Sequence, residues 1–209
     1  MISNIIFDLG KVLCPFDWTT AYEKLMPHLP ARRRRLLVED RDALKGLFKG
    51  PANALESGKI DFDCFRQEMC EILGIRLNGD EFHRIWCDIF RMDEDMVALG
   101  ERLSTRYGTW LASNTSKVHY EWILARFPRV AFYRAAALSY ELGVMKPAPA
   151  YYEKAIALFG IEPSLSVFID DIEENVVGAM RFGMTGILFR SHTLLMEELK
   201  GLGVVVPEL

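Results

Sequence analysis

Asp8 closes the apolar run Ile5-Ile6-Phe7 and is followed by Leu9-Gly10. A strand that ends in a carboxylate and then a glycine turn sets that carboxylate at the carboxyl edge of a sheet, where open α/β folds do their chemistry. A carboxylate there can act as a nucleophile, a metal ligand or both. Three more polar groups stand at or near the ends of apolar runs: Ser113-Asn114 after Leu111-Ala112, Lys146 in Gly143-Val144-Met145-Lys146-Pro147, and Asp170-Asp171 after Val167-Phe168-Ile169. In a parallel sheet all four converge on one edge. Three carboxylates suit Mg²⁺, a hard cation that takes oxygen ligands and keeps several waters. Lys146 and the Ser113 hydroxyl suit a phosphate dianion. Two anions repel, so attack by Asp8 on phosphorus requires the metal and Lys146 to neutralise the phosphate first. Each feature taken alone has a plainer reading, as a turn, a cap or a solvated pre-helix residue. Their joint occurrence, each in the right context, points to a site.

The elements that must hold these groups follow from periodicity. Residues 3–8 read as a buried strand. Residues 17–90 read as almost entirely helical. Trp18, Tyr22 and Leu25 mark one helix, ending near Met26-Pro27. Leu37, Leu44, Leu47 and Phe48 mark another, ended by Gly50-Pro51. Phe62, Phe65, Met69, Ile72 and Leu73 form a stripe behind a Ser57-Gly58 turn and the candidate N-cap Asp61, and Phe82, Ile85, Trp86, Ile89 and Phe90 repeat it behind Asp80. From about residue 94 helices alternate with strands at 109–112, 135–139, 165–169 and 185–189. That alternation predicts an α/β fold: a doubly wound, Rossmann-like parallel sheet. The core is expected at 1–14 and 91–209, with 15–90 an inserted α-helical cap that can cover the site as a lid.

Composition narrows the function. A chain of 209 residues, half of them hydrophobic, suits one core with a small appended unit. A formal net charge of −4 argues against a nucleic-acid partner. The cysteines Cys14, Cys64, Cys70 and Cys87 have no CxxC pairing, so a disulfide framework or zinc site is not expected and a reducing cytoplasm fits. No leader is expected, because the chain opens into a strand, and no apolar run reaches the ~18 residues that span a bilayer. His28, His83, His119 and His192 form no metal spacing. The basic run Arg32 to Arg35 reads as a solvated helix face. Trp18, Phe62, Phe65, Trp86 and Phe90 read as core of the insertion rather than ligand contacts.

Four segments together resemble the haloacid-dehalogenase-like (HAD) hydrolase superfamily. They are Phe7-Asp8-Leu9-Gly10-Lys11-Val12-Leu13, Leu111-Ala112-Ser113-Asn114-Thr115, Lys146 in its Gly143-to-Pro147 setting, and Phe168-Ile169-Asp170-Asp171-Ile172-Glu173-Glu174-Asn175. Glu56-Ser57-Gly58-Lys59-Ile60 is similar to a cap-helix turn of the helical-cap phosphatases, the group that includes α-D-glucose-1-phosphate phosphatase. The resemblance implies Asp8 as nucleophile and Mg²⁺ ligand, and a metal contact from the Gly10 carbonyl. It makes Asp171 the direct ligand with Asp170 in support, and Ser113, Asn114 and Lys146 the phosphate contacts. It implies a Mg²⁺-dependent phosphatase acting on a small phosphorylated metabolite through an aspartyl-phosphate.

One position departs from the superfamily pattern. The Asp that usually follows the nucleophile by two residues, as general acid/base, is here Gly10. The proton would then come from Asp17, from a metal-ordered water, or not be needed because the leaving group is a weak base. Two rival readings remain. In a metal-independent haloacid dehalogenase Asp8 would attack carbon, and Asp170-Asp171 speaks against that. In a catalytically weak phospho-ligand binding protein, the Gly10 departure would be the sign of lost activity.

Overall fold

The computed structural model describes residues 1–39 and 41–208, and the side chains of these except 36–39, 41–45 and 47. The strands are β1 (Asn4–Phe7), β2 (Gly108–Ser113), β3 (Ala136–Leu138), β4 (Ser166–Asp170) and β5 (Thr185–Leu188). They form one parallel sheet in the order β3-β2-β1-β4-β5. β1 is central, and the chain winds first to one side of it and then to the other. The crevice at its carboxyl end is the switch point that such sheets use for ligands.

Both sheet faces are buried, which is why the strands read as continuous apolar runs. Side chains alternate between them. Ile5, Phe7, Leu111, Val167 and Ile169 join a core with Leu99 and Leu103 of α6 (Glu94–Ser104) and Leu195 and Leu199 of α11 (His192–Gly201). Ile6, Ala112 and Phe168 face the opposite core, with Tyr151, Tyr152 and Phe159 of α9 (Pro149–Phe159) and Ala179 of α10 (Glu173–Met180).

Between β1 and α6 lies a helical insertion: α1 (Trp18–Leu25), α2 (Ala31–Glu39), α3 (Arg41–Glu56), α4 (Phe62–Leu73) and α5 (Gly79–Cys87). It has its own apolar cluster, centred on Phe65, Met69, Phe82 and Trp86. Phe65 is fully buried, a contribution of roughly 2–3 kcal/mol. The two crossings into and out of the insertion pair with each other. Phe16 bridges Phe90 in antiparallel fashion, the Asp17 amide donates to Ile89 O, the Arg91 amide to Pro15 O and the Asp93 amide to Leu13 O.

Local signals explain most boundaries. Asp61 accepts from the Cys64 amide at 2.8 Å and caps α4, as expected. Gly74 ends that helix in the left-handed conformation. α5 starts two residues earlier than the Asp80 pattern suggests, because the Asn78 side-chain Oδ1 accepts from the Glu81 amide and caps the helix. The expected stop at Gly50-Pro51 is wrong: α3 runs through Pro51 to Glu56. Pro51 is buried and Leu55, one turn beyond it, packs in the insertion core, and that burial offsets the lost backbone bond. The side chains of Leu37, Leu44 and Leu47, used for the same expectation, lie outside the described residues. Of the run Arg32 to Arg35, expected as a solvated face, Arg32, Arg34 and Arg35 are exposed and Arg33 is half-buried. The stretch expected as a strand to Ser139 is strand only to Leu138. The short α8 (Ser139–Leu142) begins there. α7 (Lys117–Arg126) follows β2.

Candidate active site

β1 and β4 are adjacent, so Asp8 and Asp170-Asp171 leave the sheet side by side. The Asp8 amide still bonds Ile169 O at 2.9 Å, which extends the ladder to the carboxylate itself. Asp8, Asp170 and Asp171 each offer an oxygen, and these oxygens lie within 4.8 Å of one another. Lys146 reaches the same point from the turn before α9. Its Nζ donates to Asp8 Oδ1 at 2.8 Å, Asp170 Oδ2 at 2.7 Å and Ala112 O at 2.7 Å, and its side chain is only 1 % exposed.

Asp170 is the most completely bonded carboxylate of the three. Besides Lys146 it accepts from the Ile172 amide at 2.9 Å and from Asn175 Nδ2 at 3.0 and 3.2 Å. Its side chain is wholly buried, whereas that of Asp171 keeps 18 % of its surface and faces the exposed Lys11 at 3.7 Å. Asp170 thus has its oxygens committed to the protein, and Asp171 has not.

The electrostatics follow from burial. Desolvation pushes the Asp8 carboxyl up to about 7, with Lys146 opposing and Asp170 reinforcing the rise. Burial alone would strip Lys146 of its proton, but Asp8 and Asp170 together hold its pKa above the ordinary lysine value. Asp171 is also raised, by burial and then by Asp170. Three carboxylates face one buried ammonium, Lys146, and one exposed one, Lys11, so the cluster keeps a net negative charge. A divalent cation matches both that charge and the all-oxygen donor set.

Ser113 and Asn114 end β2 beside this cluster, and both line a cavity of about 110 Å³ with Leu9, Gly10, Thr115 and, from the insertion, Phe16, Trp18, Glu56 and Phe90. Asn114 uses its side chain on Lys146: Oδ1 accepts from the Lys146 amide at 2.8 Å and Nδ2 donates to its carbonyl at 2.9 Å. It therefore positions the lysine whatever else it touches. Trp18 and Phe90, expected only as insertion core, also form cavity wall. A second cavity of about 260 Å³, bounded by Trp18, Tyr22, Phe48, Lys49, Ala52, Glu56 and Trp86, shares Trp18 and Glu56 with the first.

Two residues of the cavity wall escaped sequence reasoning. His119 is buried, with Nε2 3.2 Å from Trp86 O, and burial lowers its pKa to about 4. Its spacing of one turn from Ile123, the other buried residue of α7, is the signal that it faces inward. Glu56 has a desolvated carboxyl pushed up to about 7, first by burial and then by the charge of Asp8. The candidate proton donor Asp17 is a correction. It is exposed, and its Oδ1 caps α1 by accepting from the Thr19 amide at 2.8 Å, a bond that holds its pKa below the usual carboxylate value.

Residues 2–183 match the haloacid dehalogenase-like hydrolase model. The chain belongs to that family of hydrolases. Among HAD-like relatives, D-ribitol-5-phosphate phosphatase of Bacteroides thetaiotaomicron is 30 % identical over 186 residues, covering 84 % of this chain and 86 % of that one. A HAD-family enzyme of the same organism, solved with magnesium and inorganic phosphate, superposes with a TM-score of 0.79 at 24 % identity over 93 % of this chain and 99 % of that one. A 2-haloacid dehalogenase of Pseudomonas syringae pv. tomato gives 0.56 at 21 % identity, over 90 % and 86 %. At these identities the two structures establish a shared fold alone. Among the described residues no helix is long and apolar enough to cross a membrane.

Proposed function

We propose that this HAD-like hydrolase is a Mg²⁺-dependent phosphatase of a small phosphorylated metabolite, working through an aspartyl-phosphate on Asp8. One observation carries the reading: three carboxylates gather at the carboxyl end of β1, two of them on one buried lysine, leaving negative charge that a divalent cation would neutralise. Asp8, Asp171 and the Gly10 carbonyl would hold the metal, with Asp170 supporting from behind. When bound, the metal supplies charge neutralisation for the phosphate oxygens. Lys146 keeps Asp8 oriented and adds a positive charge beside the phosphoryl group. The Ser113 hydroxyl, buried at the end of β2, would bind a phosphate oxygen, with Asn114 fixing the lysine's backbone. The insertion, taken as residues 15–90, would act as the cap, its paired crossings at 14–17 and 90–93 serving as the hinge. The similarity to a D-ribitol-5-phosphate phosphatase supports a phosphorylated polyol or sugar among the candidate substrates. The free cysteines suit a reducing cytoplasm.

The test is a screen of phosphorylated metabolites with and without Mg²⁺. Release of phosphate that EDTA stops is the expected result. Chloride release from a 2-haloacid, unaffected by EDTA, would instead establish the dehalogenase reading. Binding of phosphate esters without single-turnover release would establish the binding-protein reading.

A further inference from the structure

The carboxylate that should lie two residues after Asp8 is missing, and the Phe16 ring packs against the place where its side chain would start. A Cβ at Gly10 would sit 3.1 Å from Phe16 Cε1, a tight contact that requires the ring to shift by a few tenths of an ångström. That ring is itself held edge-on against Phe90 and Trp18, with centroids 5.8 and 6.3 Å away. Asp17, the nearest alternative in sequence, is spent on capping α1. A leaving group that needs a proton has to take it from another group.

We propose that Glu56, at the end of α3, is the general acid/base of this hydrolase, taking the place of the absent carboxylate. The proposal rests on the phosphatase reading and deepens it. Glu56 lines both cavities: the one bounded by Gly10 and Ser113, and the larger one within the insertion. If the phosphoryl group occupies the first and the leaving group the second, the bridging oxygen falls at Glu56.

The turn carrying Glu56 is clamped to the catalytic core. Ser139 Oγ donates to the Glu56 carbonyl and accepts from the Thr115 amide at 2.9 Å, which ties the turn to the loop after Ser113. Two residues on, Gly58 is in the left-handed conformation at φ +67°, and a Cβ there would collide with the Tyr140 carbonyl. Ser57 Oγ returns to Asn53 O at 2.7 Å. Backbone contacts of this kind hold a side chain against a target better than a free surface loop can. The desolvation that raises Glu56 to about 7 also leaves it protonated near neutrality, as an acid needs.

The chemistry balances with this one group. Asp8 attacks phosphorus, the bond to the bridging oxygen breaks, and that oxygen takes the proton of Glu56. In the second half water attacks the aspartyl-phosphate and gives its proton to the Glu56 carboxylate. The bond from phosphorus to Asp8 breaks, phosphate leaves, and both side chains return to their starting states. Because Glu56 rides on the insertion, it meets the reacting atoms only when the insertion is seated on the core.

The experiment compares wild type with Glu56→Gln on 4-nitrophenyl phosphate and on glycerol phosphate, both with Mg²⁺. An amide keeps the shape but cannot give up a proton in this way. The wild type should show a shallow dependence on leaving-group basicity. In Glu56→Gln, kcat/KM should fall ~10²–10⁴-fold for the alkyl ester, the usual worth of general acid catalysis, and less than about tenfold for the aryl ester. Glu56→Ala with added formate forms the second arm, and formate should restore part of the alkyl rate. An equal loss on both esters with no rescue, or no loss on either, overturns the assignment while leaving an active phosphatase. A wild-type protein that hydrolyses neither these esters nor any ester of the wider screen overturns the phosphatase reading, and the Glu56 assignment with it.

Discussion

The ammonium of Lys146 lies 2.8 Å from Asp8 Oδ1, across 138 residues of chain, in a site where both groups are almost fully buried. Such a pair is costly to desolvate and costly to break. Here the lysine also serves Asp170, so one cation holds two carboxylates in register at the β1–β4 edge. The price in stability is accepted at a place where stability alone would favour apolar side chains.

Asp8→Asn should abolish turnover and leave the fold intact. The amide oxygen can still accept from Lys146, so the melting temperature should shift by only a few degrees, on the order of a 1 kcal/mol change. The amide is not a useful nucleophile. Purified Asp8→Asn protein with wild-type kcat would refute a covalent route through this residue.

Asp170→Ala and Asp171→Ala should fail in different ways. Removing Asp170 takes one of its two carboxylates from buried Lys146 and leaves Asn175 Nδ2 without its acceptor, and should cost roughly 3–5 kcal/mol of stability, read as a drop in the urea midpoint. Asp171 is partly exposed, and its pairing with Lys11 is a surface contact worth at most about 1 kcal/mol. Its loss should instead raise the Mg²⁺ concentration needed for half-maximal activity. If Asp171→Ala unfolds the protein and Asp170→Ala only weakens metal use, the division of labour is reversed.

The sheet and four of its polar loops could be read from the chain because their determinants are local. Ile5-Ile6-Phe7 before Asp8, and Val167-Phe168-Ile169 before Asp170, are buried on both faces and stop at carboxylates. Parallel topology then brings Asp8, Ser113, Lys146 and Asp170 together without further information. Glu56 was not legible in the same way. Its neighbours are set by a bond to Ser139, 83 residues away, which only tertiary packing creates. His119 shares its buried face of α7 only with Ile123, one turn on, and a helix whose apolar and polar residues are otherwise mixed does not make that face stand out. Pro51 misled because the rule for prolines is local, whereas the burial of Leu55 beyond it is not.

His119 should make stability fall in acid. It is neutral in the fold, with a pKa of about 4 against an ordinary value of 6.5. The unfolded chain therefore binds the extra proton first as pH drops, and stability is lost between about 6.5 and 4. The full effect is on the order of 3 kcal/mol. Glu56 and Asp8, both raised to about 7, act with the opposite sign in an overlapping window. The readout is therefore a difference: urea midpoints of wild type and His119→Gln at several pH values. The gap between them should shift in favour of the variant as pH falls, and a gap independent of pH would rule out a titrating His119.

Gly58→Ala tests whether seating of the insertion matters for catalysis, with Gly160→Ala as its control. Both glycines have positive φ, +67° and +62°, so either substitution carries the left-handed backbone cost of roughly 1–2 kcal/mol. They differ in surroundings. A Cβ at Gly160 meets nothing within 4 Å, whereas one at Gly58 runs into the Tyr140 carbonyl, a backbone atom that cannot swing away. Relief requires the turn after α3 to lift from α8, which would stretch the Ser139 bond to Glu56 and withdraw its carboxyl from the cavity. Gly160→Ala should lose only stability, with kcat unchanged. Gly58→Ala should lose more stability and, in the fraction still folded, at least about tenfold in kcat on an alkyl phosphate, because a displacement near 1 Å at a catalytic group can cost ~10²-fold. Urea midpoints and kcat measured on the same two proteins decide the matter. Equal destabilisation with wild-type kcat in both would mean that the contact between Gly58 and Tyr140 closes the structure without serving the reaction.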